Sequence, residues 1–164
     1  MTAISNTSPL ILFAKVGRLN LLRAVFDEIL VPAAVREEIV FAGGTRAGAA
    51  AVADATWIET RRLAQPVPDW LQMRRVNRGE AEAIALALEL DTDIPVLLDD
   101  RQARLAARDR GLNLLGSGGA LVLAKERGLI VSVRFELDRL RAAGLYLGNT
   151  AYQSVLILAG EADR

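Results

Sequence analysis

Short apolar runs alternate with longer amphipathic ones along the whole chain. AIS (3–5), EILV (28–31), IPVLL (94–98) and LNLLG (112–116) are brief and bounded by polar residues, Gly or Pro, the pattern of buried strands. WIET (57–60) is a fifth strand candidate. The intervening segments repeat at helical spacing. Ser8 is placed to cap a helix with Pro9 at its first position, continued by LILFAKVG, and RLNLLRAVF is a second helical piece. Pro32 opens AAVREEIVFA, closed by Gly43-Gly44. RAGAAAVADA is helical, and the segment around Pro66 and Pro68 is a connection. GEAEAIALALEL, RQARLAARDRG ending at Gly111, GALVLAKERG, SVRFELDRLRAAG and TAYQSVLILAG complete the helices. Such alternation with short links predicts a central parallel sheet covered on both faces, a three-layer α/β/α sandwich. No repeat or low-complexity tract divides residues 1–164, so a single domain is expected.

Composition narrows the chemistry more than the fold. The chain is 52% hydrophobic with ordinary charge content, which is globular rather than disordered. No uncharged apolar stretch reaches membrane-spanning length. The N-terminus has no basic n-region or cleavage site, so a cytoplasmic protein is expected. There is no cysteine, hence no disulfide and no thiolate metal site. There is no histidine either, which removes the commonest general base and the Ser-His-Asp triad. Any metal must be held by oxygen, which favours Mg²⁺ or Mn²⁺. The net charge is zero, so no global field draws nucleic acid. Arginines are nevertheless clustered. Arg74, Arg75 and Arg78 precede one acidic helix start, and Arg101, Arg104, Arg108 and Arg110 follow an Asp pair. Solvated helix faces account for many such arginines, and bidentate phosphate contacts are the functional alternative.

The Asp pair lies in LLDDRQAR (97–104), directly after the strand at 94–98. Ligands of open α/β sheets bind beyond the carboxyl ends of strands, so Asp99 and Asp100 are placed at a site edge. Asn6 holds the same position after the first strand, where a simple turn residue is the ordinary reading. Glu37 and Glu38 lie midway along a helix, where exposure accounts for most glutamates. Glu80 and Glu82 begin a helix and complement its dipole there. Glu80 shares its stripe with Ala83, Ile84 and Ala87, whereas Glu82 shares its side with Leu86 and Glu89. A carboxylate on an apolar stripe needs a partner or a metal, so Glu80 is the stronger candidate. LLGSGGALVLAKERG (114–128) puts a Gly-rich turn between strand and helix, able to cradle phosphate, although it is neither GxGxxG nor a Walker A loop. Close backbone packing is the simpler reading. Ser117 is a candidate substrate contact because this turn also follows a strand, and Arg101 is another.

ISNTSPLILFAKVGRLNLL, VPAAVREEIV, GEAEAIALALEL and LLDDRQARLAARDRGLNLLGSGGALVLAKERGLI, in that order, resemble the PIN-domain family and within it the VapC-like toxins. The resemblance implies a metal-dependent ribonuclease that leaves a 5′-phosphate, the toxin of a toxin–antitoxin pair. Its acidic residues would hold Mg²⁺ or Mn²⁺ at the carboxyl ends of the parallel sheet. Carried onto this chain, those positions are Asn6, Glu38, Glu80 and one of Asp99 and Asp100, between which the sequence does not choose. The four positions are expected to converge on one point. The departure is Asn6, where the family mostly carries Asp: one oxygen ligand remains and one charge is lost.

Two other readings stay open. One is a catalytically weakened PIN module that binds RNA or a protein partner, which Asn6 favours. The other is an unrelated doubly wound small-molecule binder, disfavoured by the missing nucleotide fingerprint. The resemblance also implies a homodimer and a cognate antitoxin. Leu19, Leu21, Leu22, Val25 and Phe26 are dense for one short helix, and 19, 22 and 26 share one side while 21 and 25 lie on another. That helix is therefore the expected partner surface.

Overall fold

The computed structural model of the chain describes residues 1–42 and 45–163. Its centre is β1 (Thr2–Ser5), which pairs in parallel with β2 (Glu28–Val31) on one side and β4 (Val96–Leu97) on the other. β3 (Ile58–Thr60) extends the sheet beyond β2 and β5 (Leu114–Leu115) extends it beyond β4, giving the order β3-β2-β1-β4-β5, all parallel. Successive strand residues point to opposite faces, and here both sets are apolar. Ala3, Ile29, Val31 and Leu97 enter one core, while Ile4, Leu30, Val96 and Leu98 enter the other.

The first face is covered by α1 (Thr7–Lys15), α2 (Leu19–Phe26), α8 (Ser117–Glu126), α9 (Val133–Ala143) and α10 (Asn149–Leu158). Val35 and Ile39 of α3 (Ala33–Ala42) and Ala49 and Val52 of α4 (Ala49–Asp54) join that core. The second face is covered by α6 (Arg78–Leu90) and α7 (Arg101–Arg108), with Leu71 of the short α5 (Asp69–Gln72) packed beside them. The result is the three-layer α/β/α arrangement that the alternating pattern predicts. Among the described residues no helix is long and apolar enough to cross a membrane.

Several expectations are corrected. α1 begins at Thr7 with Asn6 at its N-cap, so Ser8 is not the cap and Pro9 is the third helical residue. The strands read at 94–98 and 112–116 pair over only two residues each. The helix stop expected at Gly43-Gly44 lies outside the described residues. α8 starts at Ser117 rather than Gly119, and its glycines serve packing. A Cβ on Gly118 would lie 2.7 Å from Val155 Cγ2, and one on Gly119 would lie 2.3 Å from Leu115 Cδ1. The expected partner surface on α2 is absent: Leu21, Leu22, Val25 and Phe26 are buried, and Leu19 packs partly buried against the same core. α2 presents two apolar sides because it is wedged between β2 and α8, not because one side awaits a partner.

Candidate functional site

The carboxyl ends of β1 and β4 and the first turn of α6 meet at one end of the sheet. Asn6 takes the extended backbone usual for an N-cap, yet its side chain caps nothing. Its Oδ1 is buried without a hydrogen-bond partner. Its N–H donates to Leu97 O at 3.4 Å, which holds it beside the end of β4. The next residue ties in α3: Thr7 Oγ1 donates to Glu38 Oε2 at 2.8 Å. The Glu38 side chain remains 45% exposed, with Arg46 Nη1 3.9 Å from its other oxygen. Gly79 allows α6 to start against α3, since a Cβ there would sit 3.2 Å from Val35 Cγ2 and 3.4 Å from Glu38 Oε2.

Glu80 is buried in the first turn of α6. It forms a capping box: its N–H donates to Asn77 Oδ1 at 2.8 Å, and its Oε2 accepts from Asn77 N–H at 3.0 Å. The box occupies one oxygen only. Burial pushes the Glu80 carboxyl above its ordinary range against the pull of the Asn77 N–H, and the charges of Asp100 and Glu38 push it the same way. Among the described residues no basic side chain pairs with Glu80. A cap alone would need neither the burial nor the acidic neighbours.

The two aspartates, indistinguishable in sequence, differ in the structure. Asp100 is exposed and caps α7, its Oδ1 accepting from Ala103 N–H at 2.9 Å. Asp99 turns inward, with Oδ1 2.7 Å from Ser117 N and Oδ2 2.5 Å from Ser117 Oγ. Burial raises the Asp99 carboxyl, opposed by the Ser117 hydroxyl and amide and by Arg104. Asp99 thus ties β4 to α8. Ser117 is fully buried with its hydroxyl spent on Asp99, so it is not an exposed substrate contact. Arg101 is exposed in the first turn of α7, beside Asp100. Glu82 is also buried, contrary to its polar-side reading, because the 61–77 connection covers that side of α6. Its Oε2 lies 3.1 Å from Arg78 Nε.

Glu80 lies within electrostatic reach of the exposed carboxylates of Asp100 and Glu38, and Asn6, whose Oδ1 is buried and unpartnered, directly precedes the Thr7 that holds Glu38. An all-oxygen set with an orphaned carbonyl oxygen and an unpaired desolvated acid fits a hard cation. Among the described residues, no three acidic side chains form a group close enough to hold an ion as they stand. Sequence reasoning missed Thr7 and Asn77, which orient Glu38 and Glu80. The Asn77-x-x-Glu80 spacing was a legible capping signal, whereas Thr7 carried none.

The chain shares its fold with a PilT N-terminus domain protein from the hyperthermophilic archaeon Sulfolobus solfataricus, at a TM-score of 0.51 and 14% identity over 91% of this chain and 98% of the other. No curated protein matches. A family model described as PIN domain matches residues 2–161, nearly the whole chain. With that match, and with oxygen-bearing residues at the carboxyl ends of a parallel sheet, the chain belongs to the PIN-domain family.

Proposed function

We propose that this PIN domain is a metal-dependent ribonuclease and the toxin of a toxin–antitoxin pair, with Asn6, Glu38, Glu80 and Asp100 holding Mg²⁺ or Mn²⁺. Family membership supports a nuclease in general terms. The observation that carries the reading in this chain is the buried Glu80 carboxylate facing Asp100 and Glu38 with no basic partner. Like charges so placed repel, and a divalent cation relieves the repulsion. Asp100 is preferred to Asp99 because Ser117 already engages both oxygens of Asp99.

When bound, the ion would polarise a phosphodiester and lower the pKa of a coordinated water. The residues of the chain prepare the site for it. Asn77 fixes the Glu80 carboxylate through the capping box, and Thr7 fixes that of Glu38. The α7 N-terminus supports the charge on Asp100. Arg101, exposed next to Asp100, would be the residue to meet a phosphate. With no histidine in the chain, proton transfer falls to these carboxylates and to water.

The test is incubation of a mixed RNA pool with the pure protein and Mn²⁺ or Mg²⁺. Cleavage that EDTA stops, and that Glu80→Gln abolishes, is expected. Intact RNA with every divalent ion would overturn the nuclease. Growth arrest on expression, lost with Glu80→Gln, is the matching test of the toxin role. A neutral Asn6 favours one second reading, a weakened module that binds RNA without cutting it.

A further inference from the structure

One face of α3 carries Ala34, Glu37, Glu38 and Phe41, spaced i, i+3, i+4 and i+7. This face looks onto a cleft of about 550 Å³, closed on the far side by Asn77, Arg78 and Gly79. Phe41 is 93% exposed, on a helix whose inward positions Val35 and Ile39 are fully buried. It contributes nothing to either core. An exposed aromatic ring thus sits one helical turn beyond Glu38, along a shared cleft wall.

We propose that this cleft is a nucleotide subsite, in which one base of a single-stranded RNA stacks on Phe41 while the adjoining phosphate reaches the Glu38 end. The proposal rests on the ribonuclease reading and deepens it by naming the residue that seats the substrate. Three observations support RNA as the occupant. The cleft is shallow and open to solvent along Phe41, so a base can reach the ring without a structural change. It is continuous with the acidic site, because Glu38 and Gly79 belong to both. One guanidinium, that of Arg78, lines it beside Glu37 and Glu38, and the exposed Arg74 and Arg75 shortly precede Asn77 in the chain. Arg78 bridges Glu37 and Glu82 at 3.1 Å each, whereas Arg74 and Arg75 have no carboxylate partner among the described residues. An exposed aromatic face on which a base can stack, with a basic side chain within the same groove, is how sequence-tolerant single-strand binders hold a base and its backbone. A protein segment seated on Phe41 is the competing occupant.

The experiment measures equilibrium binding of a fluorescein-labelled, mixed-sequence RNA 12-mer in EDTA at fixed salt, alongside cleavage of the same RNA with Mn²⁺. Phe41→Ala is expected to weaken binding at least about fivefold, the loss typical of one base–aromatic stack. Phe41→Trp should retain binding, and its new indole fluorescence should be quenched by the RNA. Phe41→Leu should behave as Ala, since a π face rather than apolar area is required. Phe41 is so exposed that all three variants leave the cores intact. Unchanged binding in Phe41→Ala, equal binding in the Leu and Trp forms, or no binding by the wild type overturns the subsite. Phe41→Ala that only dissociates an oligomer in light scattering assigns the ring to a protein contact and overturns it as well. The two readings separate cleanly: Phe41-dependent binding without metal-dependent cleavage removes the nuclease and leaves the subsite. Cleavage by a wild type whose binding ignores Phe41 does the reverse.

Discussion

Two regions of this protein treat shielded carboxylates in opposite ways. Near the chain's end, Glu161 accepts from Lys125 Nζ at 2.8 Å, from Val133 N at 2.7 Å and from Arg134 N at 2.8 Å. It thereby pins the segment after α10 to α8 and to the N-terminus of α9. Desolvation opposes its ionisation, but Lys125 and the two backbone N–H groups outweigh it and bring its pKa down to about 2. Nearby, Glu136 is buried between Arg18 and Arg139. At the carboxyl end of the sheet, Glu80 is buried with one capping hydrogen bond and acidic neighbours, and it is pushed the other way. The difference teaches that burial alone does not mark a site. Partnered acids hold this fold together, whereas Glu80 has no basic partner among the described residues, which is what the proposed metal would supply.

The sharpest break of the comparison is Glu80→Gln. Gln preserves the capping box and removes the charge. Activity should fall on the order of 100-fold or more, as for loss of a metal-site group. Metal-dependent cleavage of RNA measures it, and activity near wild type would remove Glu80 from the site.

Glu161→Gln should have the largest effect on stability, about 1–2 kcal/mol, because several partly buried donors lose a charged acceptor. The pH dependence gives the sign. Glu161's folded pKa is depressed, so its contribution is complete above about 4.5 and disappears as pH falls toward 2. Thermal unfolding of both forms from pH 6 to pH 2 should show the gap closing over that window. A gap independent of pH would mean that its charge is unimportant.

The same measurement on Glu80→Gln should give the opposite sign. Glu80's folded pKa is raised, so stability falls as pH climbs past its ordinary 4.5 and on through the raised value. At pH 7 without metal, the Gln form should melt about 1–3 °C higher, corresponding to under roughly 1 kcal/mol. Mn²⁺ should stabilise the wild type and not the variant. A lower melting point for Gln at pH 7 would show that the carboxylate is a stabilising partner after all.

Asn6→Asp is the smallest expected change. It should tighten Mn²⁺ binding severalfold in titration calorimetry without reducing cleavage, and lower the metal-free melting point slightly through added repulsion. Equal or weaker metal affinity would mean that position 6 is not a ligand.

The sequence by itself determined the layering. Runs such as EILV and IPVLL are apolar on both faces, and only a sheet covered on both sides satisfies that pattern. It also singled out Glu80, because a 3.6-residue period fixes which positions share a stripe with Ala83 and Ile84. It could not separate Asp99 from Asp100. Adjacent residues leaving a strand differ in what they meet, and Ser117 comes from a different strand–helix unit eighteen residues on. Nor could it show that Glu82 is covered, that α2 is enclosed, or that Thr7 and Glu38 meet across thirty-one residues of chain. Local periodicity reports which face of an element is apolar. What lies opposite that face, and whether a buried acid there finds a cation, is set by contacts distant in sequence, and only the tertiary structure decides them.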